Sequence, residues 1–302
     1  MPTKRKTAKN TPRNPLAEVF GFPTSNKAKR ALHYQSNRLC PFNNVVPNCT
    51  KVSVVDPLGV CSLFDSDTQP TVVCPVRFKE DFLIAEQAAK FFFPAGAKPV
   101  ILPEVRLKDA NGKAAGNVDL VLVTHDENGF VTDFGALEIQ AVYISGNVRR
   151  PFRKYTDDLT VKTINWSGAK EYPRPDYLSS SRKRLAPQLI YKGGIFKAWG
   201  KKSAVVTDRK FFSTLPKLLE VKPSKADIAW FVYDLIKSTK TDCYKLTHHK
   251  TIYTEFGPAL DAITKTKAGP VEDFLKVLQG KLKKLTKGEM VADTTLASEA
   301  LE

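Results

Sequence analysis

The chain has 302 residues, room for one large domain or two ordinary ones, and an apolar fraction of 42% gives it material for a sizeable core. A formal net charge of +16, from 47 basic against 31 acidic residues, points to a polyanionic partner, with nucleic acid first and a generic basic protein as the plain alternative. No apolar run approaches the roughly 20 residues of a membrane helix. The basic N-terminus is not followed by a signal-like apolar stretch, so a cytoplasmic location is expected.

Residues 1–14 read as a disordered basic tail. A short apolar patch from Leu16 to Phe22 and a basic, helix-compatible stretch over 25–34 follow. Cys40, Cys49, Cys61 and Cys74 then cluster in a loop-like segment rich in Pro and Gly, and 15–78 reads as a small module of its own. Two disulfides are disfavoured in a reducing compartment. Scattered buried thiols do not explain the clustering. A closed site of four thiolates does, with zinc or iron as the natural metal, although no CxxC pair is present.

The periodicity predicts a helix over 79–93, with Phe82, Ala85, Ala89, Phe92 and Phe93 on one stripe and Pro94 ending it. A strand is expected over 98–107, with Glu104 in an apolar setting. Two apolar runs come next, 117–123 with Asp119 and 135–142 with Glu138 and Gln140, and a turn at 124–129 makes them a hairpin. Residues two apart on a strand share a face, so Glu138 and Gln140 project together. A carboxylate in such a strand needs a partner or a metal, and the hairpin is a candidate metal-dependent active site with Glu104 as a third acid.

The chain then turns basic, with Arg149, Arg150, Arg153 and Lys154. A stiff loop at 172–177 leads to 179–202, where Arg182, Lys183, Arg184 and Lys192 stand among aromatic residues. Arg184, Gln188 and Lys192 are four apart and share a face if helical, but Pro187 prefers a first helical turn and would leave Arg184 outside. These residues are candidates for phosphate and base contacts, Gln188 being an amide suited to adenine, and a solvated face is the bland alternative. Strands are expected at 202–207 and 229–233, with 224–228 leading into the second. A polar loop carries His248 and His249. Helices are expected over 257–267 and 270–285, and the chain ends in an acidic tail over 289–302.

Taken together, these pieces resemble a known family. Asp119 followed by Glu138-Ile139-Gln140 resembles the PD-(D/E)xK nuclease core with Gln in place of the usual Lys. Cys-Pro-Phe at 40–42, Cys49, Gly-Val-Cys at 59–61 and Val-Cys-Pro at 73–75 resemble the metal module of NotI-like restriction endonucleases. So do Ala-Glu-Val-Phe-Gly at 17–21, Lys-Arg at 183–184, Gln188, Tyr191-Lys192 and Ala-Trp at 229–230. The resemblance runs from about residue 17 to about residue 235 and implies an α/β (α+β) fold. A central mixed sheet flanked by helices (79–288) would carry the nuclease core, beside the four-cysteine domain (15–78).

It further implies a homodimeric bacterial type II endonuclease that cuts a GC-rich palindrome in double-stranded DNA, and a cognate DNA methyltransferase in the same system. Asp119 and Glu138 would hold Mg²⁺, Gln140 and Glu104 would complete the catalytic set, and Cys40, Cys49, Cys61 and Cys74 would hold iron. Arginine is the expected contact to guanine. Two rival functions are a non-catalytic, metal-containing DNA-binding protein and a repair nuclease without sequence preference. The chain looks shorter than the eight-base cutter that names the family.

Overall fold

The computed structural model describes residues 14–65, 69–159, 165–166, 168–266 and 268–286. The basic tail expected over 1–14 lies outside these residues except for Asn14, whose side chain accepts from the Leu16 N–H at 2.9 Å. The acidic tail expected over 289–302 lies outside them entirely. The chain divides into two compact units, Met1–Thr264 and Lys265–Glu302.

The first unit opens with β1 (Leu16–Val19), β2 (Phe22–Pro23), helix α1 (Lys29–Ser36), β3 (Val60–Phe64) and β4 (Pro70–Val72). The four strands form one antiparallel sheet in the order β2-β1-β3-β4. Cys61 lies on β3 rather than in a loop. A 3₁₀ segment, Pro75–Phe82, then kinks, because Asp81 and Phe82 take left-handed φ values of 50° and 57°. Helix α2 therefore starts only at Leu83 and runs to Phe92. That late start moves the buried stripe to Ile84, Ala85, Ala88, Phe91 and Phe92, and it leaves Phe82 exposed.

A six-stranded sheet follows. Its first members are β5 (Val100–Lys108), β6 (Ala114–His125) and β7 (Val131–Gln140), joined antiparallel as the hairpin pattern predicts. Both hairpin strands extend further toward the turn than the apolar runs, because polar residues at an exposed sheet end pair through backbone alone. Gly135 sits where a Cβ would fall 2.3 Å from the Phe92 ring, so only glycine lets α2 lie this close to β7.

Between β7 and the rest of the sheet lie β8 (Tyr143–Ser145), helix α3 (Arg149–Asp157) and β9 (Arg174–Asp176), with β8 and β9 paired antiparallel. One helix then spans residues 177–198, with two π-helical stretches, Ser181–Leu185 and Leu189–Gly193. Pro187 sits between them, inside the helix rather than at its start. A proline there removes a hydrogen bond and its ring strikes the carbonyl four residues back. π turns, whose bonds reach five residues back, loosen the ladder on either side.

The central sheet is completed by β10 (Ser203–Asp208), β11 (Ile228–Lys237) and β12 (Tyr244–Thr254), in the order β12-β11-β10-β7-β6-β5. β10 runs parallel to β7 and β11, and the other pairs are antiparallel, so the sheet is mixed. A short 3₁₀ turn, Pro223–Lys225, stands at the start of the expected lead-in to β11. His248 and His249 lie on β12, not in a loop, because the cross-strand pairing to β11 absorbs them.

α2 packs on one face of the sheet, where Phe91, Phe92 and Phe93 meet Leu137, Val206 and Phe231. On the other face Val205 and Trp230 join the four-cysteine module, α3 and the Phe256–Thr264 helix in one core. No helix among the described residues is long and apolar enough to cross a membrane. The second unit carries the helix Val271–Thr286, with acidic residues in its first turn and lysines in its last, as helix polarity favours.

Candidate active site

β6 and β7 are paired with Leu120 opposite Leu137, which sets Asp119 beside Glu138 on the neighbouring strand. β5 pairs with β6 through Pro103–Leu120 and Val105–Val118, so the same register sets Glu104 beside Asp119. The three acids thus form a row across three adjacent strands. Glu104 is exposed and takes a left-handed φ of 54°. For a side chain with a Cβ that conformation costs about 1–2 kcal/mol, and such departures gather at functional sites.

Asp119, half-buried, and Glu138, buried, each accept from a defined donor. Asp119 Oδ2 accepts from the Ile139 N–H at 2.7 Å. Glu138 Oε2 accepts from Lys192 Nζ at 2.6 Å, and the same ammonium donates to the Asn117 carbonyl at 2.8 Å. Glu138 Oε1 is buried without a hydrogen-bond partner. Burial pushes the Glu138 carboxyl up to about 7 against the pull of the Lys192 ammonium, and the nearby Asp119 raises it further. Asp119 is also raised, first by burial and then by Glu104, while the Ile139 N–H, Lys192 and Lys79 oppose the rise. Gln140 is buried and donates its amide N–H to the Ala141 carbonyl at 2.8 Å.

An unsatisfied buried carboxylate oxygen is expensive, and a cation bound at that spot relieves it. The row supplies hard oxygen donors, the kind Mg²⁺ takes, and Mg²⁺ is commonly held by one or two carboxylates with substrate phosphate and water filling the rest. Among the described residues, no group of three or more His, Cys, Asp or Glu side chains is arranged to hold a metal by itself. Asp119 and Glu138 could hold such an ion only with substrate or water completing its shell.

Cys40, Cys49, Cys61 and Cys74 are all buried and unbridged. Cys40 and Cys49 are held by a loop closed through Cys40 N–H to Pro47 O (2.7 Å) and Cys49 N–H to Arg38 O (2.9 Å), while Val73 N–H bonds Cys61 O (3.0 Å) to bring Cys74 alongside. All four line one cavity of about 10 Å³, roughly the room one small occupant needs. The thiols are gathered without being arranged as a finished ligand set. Burial pushes Cys40 up to about 11 and raises Cys49 and Cys61. Lys51 reaches the same cavity and donates to the Val60 and Val73 carbonyls at 2.6 and 3.0 Å.

The cationic residues divide into different settings. On α3, Pro151, Phe152 and Tyr155 are buried while Arg150, Arg153 and Lys154 face outward; Arg150 and Lys154 stand over the Trp166 ring. Arg149 is drawn to Asp56 at 3.5 Å. Arg182, Lys183 and Arg184 are exposed on the 177–198 helix, with Arg184 over the Tyr143 ring at 5.1 Å. The face expected for Arg184, Gln188 and Lys192 does not form, because the π turns break the four-residue spacing. Gln188 is half-buried, and Lys192 is 5% exposed and turned into the acid row.

Four-residue spacing groups Lys192 with the surface cations, and nothing in the sequence gives Lys79 a part. Gly193 and Gly194, directly after Lys192, carry a hint: a Cβ on Gly193 would meet the Phe256 ring at 2.8 Å, so this stretch is pressed into the protein.

No curated protein matches the chain. A family model described as restriction endonuclease NotI matches residues 26–246, well over half of the chain and including the cysteines, the acid row and most of the central sheet. The chain belongs to the NotI restriction endonuclease family, for which DNA is the substrate.

Proposed function

We propose that the protein is a Mg²⁺-dependent type II restriction endonuclease that hydrolyses both strands of a GC-rich palindromic DNA site as a homodimer, with a cognate methyltransferase protecting the same site. The observation that carries this reading is the Asp119–Glu138 pair, side by side on a hairpin, with Glu138 Oε1 buried and unpaired. A protein that only binds DNA has no use for that arrangement.

When bound, Mg²⁺ offsets charge on the scissile phosphate and acidifies a water. Asp119 and Glu138 would hold it, since Ile139 and Lys192 each occupy only one oxygen of these carboxylates. Glu104, exposed beside Asp119, is the accessory acid. Gln140 cannot ionise; one of its two amide N–H donors is used on Ala141, which leaves the other N–H and the carbonyl oxygen to position a water or hydrogen-bond the phosphate. Arg150, Arg153 and Lys154 on α3, with Arg182, Lys183 and Arg184 on the long helix, face outward for phosphates and base edges. A palindrome is met by two-fold symmetry.

Glu138→Ala abolishes Mg²⁺-dependent cleavage and spares DNA binding; a variant that cuts at the wild-type rate sinks the assignment. Digestion of a long DNA gives discrete fragments whose ends reveal the site, whereas a smear favours a nuclease without sequence preference. The four cysteines are proposed to hold one structural iron or zinc, closing in as thiolates. Elemental analysis of purified protein then finds about one tightly bound metal per chain. A folded, active sample without metal contradicts that.

A further inference from the structure

The PD-(D/E)xK pattern places an ammonium two residues after the glutamate, and here that position holds Gln140. The amide of Gln140 is buried and bonded to the neighbouring Ala141 carbonyl. A different element brings a cation to Glu138. Lys192 Nζ lies 2.6 Å from Glu138 Oε2, on the carboxylate that the motif's own lysine would accompany. We propose that Lys192, delivered from the 177–198 helix, supplies the active-site ammonium that the third motif position lacks. This rests on the nuclease reading above and deepens it.

Four features support the assignment. First, an ammonium has three donors. Two are placed, on Glu138 Oε2 and the Asn117 carbonyl, which leaves one for a substrate phosphate oxygen or the attacking water. Second, Lys192 takes one oxygen of Glu138 and leaves Oε1 unpaired, so the cation and the proposed metal do not compete for one atom.

Third, the backbone is shaped for this reach. Lys192 lies in the second π stretch, Gly193 admits the Phe256 ring, and the Lys192 stem passes Gly116 on β6, 3.7 Å from where a Cβ would stand. π turns concentrate at functional positions. Fourth, a buried ion pair is weak support for a fold, since well-packed apolar residues of the same size do as well or better. An ammonium retained there is better explained by work on a charged substrate. Lys192 acts in this proposal as a fixed positive charge and hydrogen-bond donor, not as a proton carrier.

The test uses single-turnover cleavage of a DNA that the wild type cuts to discrete fragments, with DNA affinity measured in Ca²⁺ instead of Mg²⁺. Lys192→Met keeps affinity within about threefold and lowers the cleavage rate by about 100-fold, the usual loss for one electrostatic donor. Returning the ammonium to the motif position, in Gln140→Lys/Lys192→Met, recovers about tenfold or more of that loss. Gln140→Lys alone cuts more slowly than the wild type, because it removes the amide placed to hold a water and adds an ammonium where one already stands; this variant does not depend on Lys192→Met folding.

Three results overturn the proposal: Lys192→Met cutting at the wild-type rate, a DNA-binding double variant no faster than Lys192→Met, or a tenfold gain in Gln140→Lys alone. Glu138→Ala is run beside them. If it still cuts, the nuclease reading fails. If it is inactive while Lys192→Met is fully active, only the role of Lys192 fails.

Discussion

Glu138 is held where burial opposes its charge and Lys192 only partly restores it, so the folded protein raises this carboxyl from its usual range to about 7. The direction of the linkage follows. With the folded pKa above the unfolded one, the native state keeps a proton that the unfolded state has lost. Stability from this group is therefore complete below the unfolded pKa of about 4.5 and falls as pH rises to about 7. The size is at most about 3 kcal/mol, and less if Lys192 moves to follow the charge. Denaturant unfolding of metal-free protein at pH 5 and pH 8 measures the fall. Glu138→Gln flattens that pH dependence, because its neutral amide loses no proton. Added Mg²⁺ raises wild-type stability more at pH 8 than at pH 5, since the metal binds the carboxylate and not the acid. A pH dependence identical in Glu138→Gln and wild type argues against Glu138 as its source.

At the scale of elements, one side chain fastens the cysteine-bearing sheet to the central one. Arg77, fully buried in the 3₁₀ segment before α2, donates to Glu18 on β1 (3.1 Å), Glu80 (2.7 Å) and the Tyr244 carbonyl on β12 (3.0 Å), and it lies over the Phe42 ring. Glu80 in turn accepts from the Leu246 N–H at 2.7 Å. Arg77→Met leaves the buried Glu18 without its cation and Glu80 with only the half-exposed Lys245 at 3.2 Å, and breaking a buried pair on one side costs about 3–5 kcal/mol. Urea unfolding registers that loss, whereas Arg209→Met, whose pair with Asp234 is largely exposed on the arginine side, changes stability by less than about 1 kcal/mol.

The Arg77 clamp also marks what a sequence can express. The β6–β7 hairpin is legible because Asp119, Glu138 and Gln140 interrupt apolar runs, and such interruptions are local. Arg77 is not, because its partners Glu18 and Tyr244 lie 59 and 167 residues away in sequence. The start of α2 is hidden for a different reason: left-handed backbone at Asp81 and Phe82 overrides a helical pattern that runs through both. Lys192 is misplaced by its spacing because two π turns rotate it out of the face that a regular helix gives.

For the whole molecule, charge and fold divide the work of recognition. The chain carries +16, far beyond what a few base contacts use, so most of its attraction to DNA is independent of sequence. The exposed cations of α3 are carried on a helix whose other face is anchored by Phe152 and Tyr155, which fixes where their side chains leave the backbone. If Arg153 and Lys154 meet phosphates, replacing both by alanine weakens cognate and non-cognate DNA alike. The slope of log affinity against log salt then falls by about one for each phosphate no longer neutralised. If either reads a base edge instead, cognate affinity drops more than non-cognate affinity, by about 1–3 kcal/mol per base, and the fragment pattern widens to related sites. Fluorescence anisotropy across a salt series, run with a cognate duplex and a scrambled one, separates the two outcomes. The phosphate outcome is expected, because Lys154 and the neighbouring Arg150 both lean on Trp166, which holds them apart on an open surface rather than in a narrow reading head.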